Sequence, residues 1–222
     1  MNLIEHVDNA ITKARNRESK LTPELLAIHD ADSCMSSHTV RHLINNLCNF
    51  DGCKYLECGS WRGSCFCSAV FNNNIEATSI DYWPNTAEFR ETRNIFHRNL
   101  HSILLKETNE MDKSLRIINK DCFKFDKKGL NGINVYLYDA DHSRDSQFKG
   151  MVYYNDVLAD FAIILIDDWN STDVRIGTRQ AFELLNRKIL KEWELSGATE
   201  NWSAQMDGFW NGVYIAVTQK II

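Results

Sequence analysis

The chain has 222 residues, 44% hydrophobic and 25% charged, an ordinary globular balance that allows one domain with a modest N-terminal extension. A formal charge of −5 provides no basic footprint for nucleic acid or an anionic lipid surface. No apolar run reaches the length of a membrane span and Met1–Arg17 lacks a secretion signal's apolar core, so a cytoplasmic protein with no membrane partner is expected.

In chain order, Leu3, Ile4, Val7, Ala10 and Ile11 recur at helical spacing, and Pro23 opens a second helical piece. Residues 1–34 are expected to form a helical extension or lid, and 35–222 the main domain. The amphipathic N-terminus also fits a homo-oligomer. Met35-Ser36-Ser37 places a serine at the N-cap position before Val40, Leu43, Ile44 and Leu47. Tyr55-Leu56 reads as the first strand, running through Glu57 into a turn with Gly59 and Gly63, and helix-compatible residues follow from Phe66 to Phe71. Ala77–Ile80 is a second strand closing on Asp81, followed by a long amphipathic stretch with Phe96, Leu100, Ile103 and Leu104 inward.

Leu115–Asn119 reads as the third strand, ending at Lys120-Asp121-Cys122, and Asn134–Tyr138 as the fourth, ending at Asp139-Ala140-Asp141-His142. A helix is expected over 145–158. Phe161–Ile166, the most apolar strand, leads into Asp167-Asp168. A helix over 180–190 and closing strands at 193–198 and 212–218 complete the chain. Strands alternating with helices predict an α/β fold: a doubly wound, mostly parallel seven-stranded sheet with helices on both faces. The seven cysteines are an odd number without zinc-finger or redox spacing, so reduced core thiols are expected.

In such a sheet ligands lie beyond the carboxyl ends of the strands, where Glu57, Gly59, Asp81, Asp121, Asp139, Asp167 and Asp168 all fall. The Gly-x-x-x-Gly spacing, with an acid inside the strand, points away from NAD and toward another adenosine cofactor, while Asp81 stands where ribose hydroxyls are held. The turn is equally compatible with a ligand-free tight turn. Asp139 and the Asp167–Asp168 pair, on adjacent strand tips, repel unless a cation or protons intervene, and oxygen-only donors select Mg²⁺ or another hard divalent ion. His142, three residues past Asp139, has the pKa range of a general base. The same residues fit a structural role too: Asp-Asp after a strand can cap a helix, and His142 can be a surface histidine. Asp141 either faces solvent or replaces Asp139 as ligand. The aromatic tail (Trp169, Trp193, Trp202, Phe209, Trp210, Tyr214) reads mainly as packing, with a stacking wall for a ring as the alternative.

Leu56-Glu57-Cys58-Gly59-Ser60-Trp61-Arg62-Gly63 resembles the glycine motif of class I S-adenosylmethionine-dependent methyltransferases, whose fold is Rossmann-like. The resemblance runs over residues 35–218 and is greatest to metal-dependent O-methyltransferases of the catechol and macrolide-sugar types. It implies that S-adenosylmethionine meets Met35, Glu57, Gly59, Ser60, Gly63, Asp81, Tyr82, Asp121, Cys122 and Asp139. It also implies that Mg²⁺ is held by Asp139, Asp167 and Asp168, and that His142 takes a proton from a hydroxyl of a small-molecule acceptor. Cys65 stands where the catechol type has serine. A cephalosporin-hydroxylase-like enzyme and a non-catalytic binding module are the competing expectations.

Overall fold

The computed structural model describes residues 2–32, 35–107, 112–197 and 208–221. Seven strands form one sheet in the order β3-β2-β1-β4-β5-β7-β6. They are β1 Cys53–Cys58, β2 Ile75–Asp81, β3 Lys113–Asn119, β4 Ile133–Tyr138, β5 Leu158–Ile166, β6 Arg187–Leu195 and β7 Val213–Lys220. β3 through β5 pair in parallel, and β7 runs antiparallel between β5 and β6. This is the doubly wound seven-stranded sheet expected from the strand pattern.

Side-chain alternation explains why helices cover both faces. In β4, Val135 and Leu137 join one core with Tyr55, Ile163 and Ile215, whereas Tyr136 and Tyr138 join another with Leu56, Ile164 and Tyr214. Helices α1 Leu3–Arg15, α2 Pro23–Ala31, α3 His38–Leu47, α4 Ser64–Val70 and α5 Ala87–Leu104 contribute to the first core. Helices α6 Arg144–Tyr154 and α7 Thr172–Leu184 contribute to the second. Ser37 caps α3 as its position suggests, its Oγ accepting from the Val40 N–H at 3.2 Å. No helix among the described residues is long and apolar enough to cross a membrane.

Three element boundaries differ from the sequence expectation. The helix expected over 145–158 stops at Tyr154, and a 3₁₀ turn at Asn155–Val157 leads into β5 from Leu158. Leu158 pairs with Ile133 of β4, so a sheet partner captures a residue whose spacing also suits a helix. The helix expected over 180–190 instead occupies Thr172–Leu184, because Arg187–Leu190 opens β6 against β7. The strand expected over 193–198 accordingly ends at Leu195; Ala198 lies outside the described residues.

The seam between α6 and β4 is tight at Gly150. A Cβ there would stand 2.4 Å from Tyr138 Cε2. Alanine in a helix normally gains about 1 kcal/mol over glycine. Overpacking of this kind costs about 1–3 kcal/mol, and the ring ends the strand that carries Asp139, so the clash dominates. Gly150→Ala is expected to lower the unfolding midpoint by a few degrees, measured by thermal denaturation. An unchanged or higher midpoint would show that the ring yields freely.

Candidate active site

The order of the sheet reverses between β1 and β4, which opens a crevice at their carboxyl ends. Backbone bonds tie the strand tips together. The Gly59 N–H donates to Ile80 O at 2.9 Å, Asp139 N–H to Cys58 O at 2.8 Å, and Asp167 N–H to Tyr138 O at 3.3 Å. Gly59 adopts φ +88°, and a Cβ on it would lie 1.9 Å from the Asp139 carbonyl oxygen. Only glycine lets the two tips approach this closely.

Asp81 holds the first turn from below: its Oδ2 accepts from the N–H of Ser60 at 2.9 Å and of Trp61 at 2.6 Å. Burial raises its pKa, while the N–H groups of Trp61, Ser60 and Tyr82 oppose that rise. Glu57 is wholly buried and accepts from Tyr55 Oη at 2.5 Å through Oε2, whereas its Oε1 has no hydrogen-bond partner. Burial pushes the Glu57 carboxyl up to about 8, against the lowering effect of Tyr55 and Ser60. Among the described residues no positive side chain pairs with this acid.

Two adjoining cavities fill the crevice. The larger, about 510 Å³, takes in Gly59, Asp81, Tyr82, Asp121, Cys122 and Asp139 among the expected site residues. Met35, Glu57, Ser60, His142, Asp167 and Asp168 line the second, about 350 Å³. Gly59, Trp61, Asp139 and Ala140 belong to both. Gly63 lines neither: it precedes α4 at φ +89°, and a Cβ there would meet Phe96 Cδ2 at 2.8 Å. Its lack of a side chain serves helix packing.

The acids at the tips of β4 and β5 gather around one imidazole. His142 Nδ1 lies 2.7 Å from Asp168 Oδ2, and its Nε2 lies 3.6 Å from Asp139 Oδ1. The neighbouring carboxylates of Asp139 and Asp168 raise His142 to about 10 against its desolvation. Burial raises Asp139 to about 6 and Asp167 well above the usual carboxylate range, and mutual repulsion adds to both. Burial alone would raise Asp168 as well, yet His142 and Asn211 hold it below its ordinary value. Asp168 itself sits at φ +54°. Asp141 stays out of this cluster, its Oδ1 accepting from the Ser143 N–H at 2.8 Å.

Among the described residues no group of three or more His, Cys, Asp or Glu side chains is arranged to hold a metal ion. In the arrangement present, imidazole bridges Asp139 and Asp168. The chemistry of the donors still suits a hard divalent cation: three carboxyls at adjoining tips, two of them held up in pKa by burial and by their neighbours' charge.

Asn211 is a site residue that the strand-end reasoning missed. It leaves α/β geometry at φ +58° and donates through Nδ2 to Asp168 Oδ1. Its backbone carbonyl accepts from the Asn170 N–H at 2.9 Å, while Gly212 O accepts from the Trp169 N–H at 3.0 Å. The Asn-Gly dipeptide was the available signal. Trp61, Phe123 and Tyr138 also line the larger cavity without having been singled out. Of the aromatic tail, Trp169 stacks on Tyr214 at 4.2 Å, Trp193 donates to Asp8, and Phe209 is buried. Trp210 lines the second cavity, and Trp202 lies outside the described residues. Among the described residues His142 is the one histidine on either cavity wall, whereas a two-histidine iron site would need a second.

Comparison with known proteins places this arrangement. A family model described as a methyltransferase domain matches residues 56–169, a little over half of the chain. The search of curated proteins finds no match. Among solved structures, an O-methyltransferase from Bacillus cereus in complex with S-adenosylhomocysteine is 12% identical with a TM-score of 0.52, covering 99% of this chain and 91% of that one. TrmN from Thermus thermophilus is 8% identical with a TM-score of 0.51, covering 77% of this chain and 44% of its own. The Thermoplasma acidophilum 1320 protein is 9% identical with a TM-score of 0.51, covering 82% of this chain and 89% of that one. At these identities the likeness is one of fold, and the chain spans less than half the length of TrmN.

Proposed function

Since the chain belongs to the methyltransferase-domain family, we propose that it transfers a methyl group from S-adenosylmethionine to a hydroxyl oxygen of a small molecule with the help of a hard divalent cation. The observation that carries this reading is the wall shared by the two cavities. A donor in the larger and an acceptor in the smaller would face each other across Gly59, Trp61, Asp139 and Ala140. Asp81, with one oxygen committed to the turn, has the other for ribose hydroxyls, while Asp121, Cys122 and Phe123 border the nucleobase end. The partnerless Oε1 of Glu57, on the wall of the smaller cavity, is suited to the α-ammonium of a donor whose methionine end crosses the shared wall.

Attack forms the oxygen–methyl bond as the methyl–sulfur bond breaks, leaving the electron pair on sulfur in S-adenosylhomocysteine. The acceptor's proton must leave as well, and His142 Nε2 is placed to take it. Asp168 fixes the ring through Nδ1, the arrangement by which a carboxylate orients a catalytic imidazole. Asp139, Asp167 and Asp168 would hold the cation, which when bound lowers the pKa of a neighbouring hydroxyl. With a cation on these carboxylates, His142 would lose part of what holds its own proton, which would lower its pKa. Residues 1–34 are proposed to act as a helical extension of the domain, with Met35 at the rim of the smaller cavity.

Thermal shift with S-adenosylmethionine and S-adenosylhomocysteine, with and without Mg²⁺, tests the donor assignment: at saturating ligand about 3 kcal/mol of stabilisation is expected. No shift with either ligand would sink it. Methyl transfer to a panel of hydroxylated compounds is expected to stop in EDTA and return with Mg²⁺. Full activity in the chelator would leave a metal-free transferase.

A further inference from the structure

The charge on the cavity walls bears on the acceptor. Resting on the methyl-transfer reading above, we infer that the acceptor is an uncharged hydroxylated ring compound and that the site discriminates against carboxylates and phosphates. Among the described residues Glu57, Asp139, Asp167 and Asp168 line the acceptor cavity, and no lysine or arginine does. The donor cavity adds Asp81, Asp121 and Asp141, again without a lysine or arginine. Of the basic side chains nearby, Arg62 donates to Asp32 O at 2.6 Å, and Lys124 pairs with Asp121 at 3.0 Å. Residues 198–207, outside the described region, contain Glu200 and Asp207 but no lysine or arginine in their sequence.

Among the described residues His142 is the one basic side chain on the acceptor wall, and Asp139 and Asp168 already engage it. A divalent ion set against three carboxylates would leave no surplus positive charge for a further anion. An acid or phosphate on the acceptor would therefore give up its hydration without gaining a counter-charge. A nucleic-acid backbone meets the same obstacle many times over, since its binding rests on phosphate neutralisation by lysine and arginine. A neutral ring meets no such cost. Trp61 and Trp210 line the same cavity, and indole faces favour flat or ring-shaped partners.

The test uses the whole protein with Mg²⁺ and saturating S-adenosylhomocysteine, and titrates two matched pairs of rings by calorimetry. One pair is 4-methylcatechol and 3,4-dihydroxybenzoate; the other is methyl glucoside and methyl glucuronide. At least one neutral ring is expected to bind, with its carboxylate twin weaker by about tenfold or more. Equal or tighter binding of the carboxylates, or no binding by any of the four, would overturn the inference. Thermal shift by S-adenosylhomocysteine is measured first. If it is absent, the methyl-transfer reading falls and this inference with it; if it is normal while charge makes no difference, only the inference falls. Met35→Lys, at a position 57% exposed on the cavity rim, supplies the absent cation. It is expected to narrow the gap between the members of a pair by about fivefold, and an unchanged gap would remove electrostatics as its cause.

Discussion

His142→Ala is expected to lower kcat by about 10²- to 10⁴-fold, the usual contribution of a positioned acid or base, while the Kd for S-adenosylhomocysteine changes by less than about threefold. His142 is absent from the larger cavity and is none of the residues assigned to the donor, so its loss leaves the donor's contacts in place. Its ring is fixed by Asp168 at 2.7 Å, which leaves Nε2 as the atom to receive a proton. A merely structural imidazole, serving to neutralise Asp139 and Asp168, would behave differently. Its removal would loosen the tips of β4 and β5, and stability and donor affinity would fall together with turnover. Comparing kcat, donor Kd and the unfolding midpoint in one variant separates the two roles. Undiminished turnover would end the base assignment, and a parallel loss of all three quantities would make His142 a structural counter-ion.

What could be read from the sequence follows from how a doubly wound sheet is built. Each predicted parallel strand ended in a polar residue, and parallel strands put all those ends on one edge. Gly59, Asp81, Asp139, Asp167 and Asp168 therefore meet in space although they are spread over more than a hundred positions. Interactions that depend on a side chain's direction were harder to foresee. Gly63 belongs to the same turn as Gly59, but its missing Cβ makes room for the Phe96 ring of α5, more than thirty residues away. Nothing local encodes that pairing. Asn211, 43 positions further along the chain, reaches Asp168 because β7 runs antiparallel beside β5 and so begins where β5 ends. Glu57 lines the smaller cavity yet is wholly buried, with one oxygen held by Tyr55, a combination its place in the strand does not reveal. The helix boundaries at Tyr154 and Leu184 were missed for a related reason, since the next residues satisfy helical spacing until a neighbouring strand claims them.

Gly59→Ala is expected to abolish donor binding and to destabilise the fold by several kcal/mol. Two costs add at this position. The first is conformational: alanine at φ +88° occupies a region that side chains avoid, at about 1–2 kcal/mol. The second is steric. The new Cβ would stand 1.9 Å from the Asp139 carbonyl oxygen and 2.8 Å from Ala140 Cα, both backbone atoms held by the pairing of β1 with β4. No rotamer change relieves such a clash, so the strand tips must separate. Separation moves Gly59 and Asp139 together, and these two residues border both cavities. Gly52→Ala supplies the control: it has φ +77° and nothing within 4 Å of its added Cβ, so it bears the conformational cost alone. The control is expected to lose about 1–2 kcal/mol in denaturant unfolding while keeping normal S-adenosylhomocysteine affinity. Gly59→Ala should lose clearly more, with no measurable ligand-induced shift. If the two variants lose the same stability and both bind S-adenosylhomocysteine normally, the contact between the β1 and β4 tips is not what shapes the donor cavity.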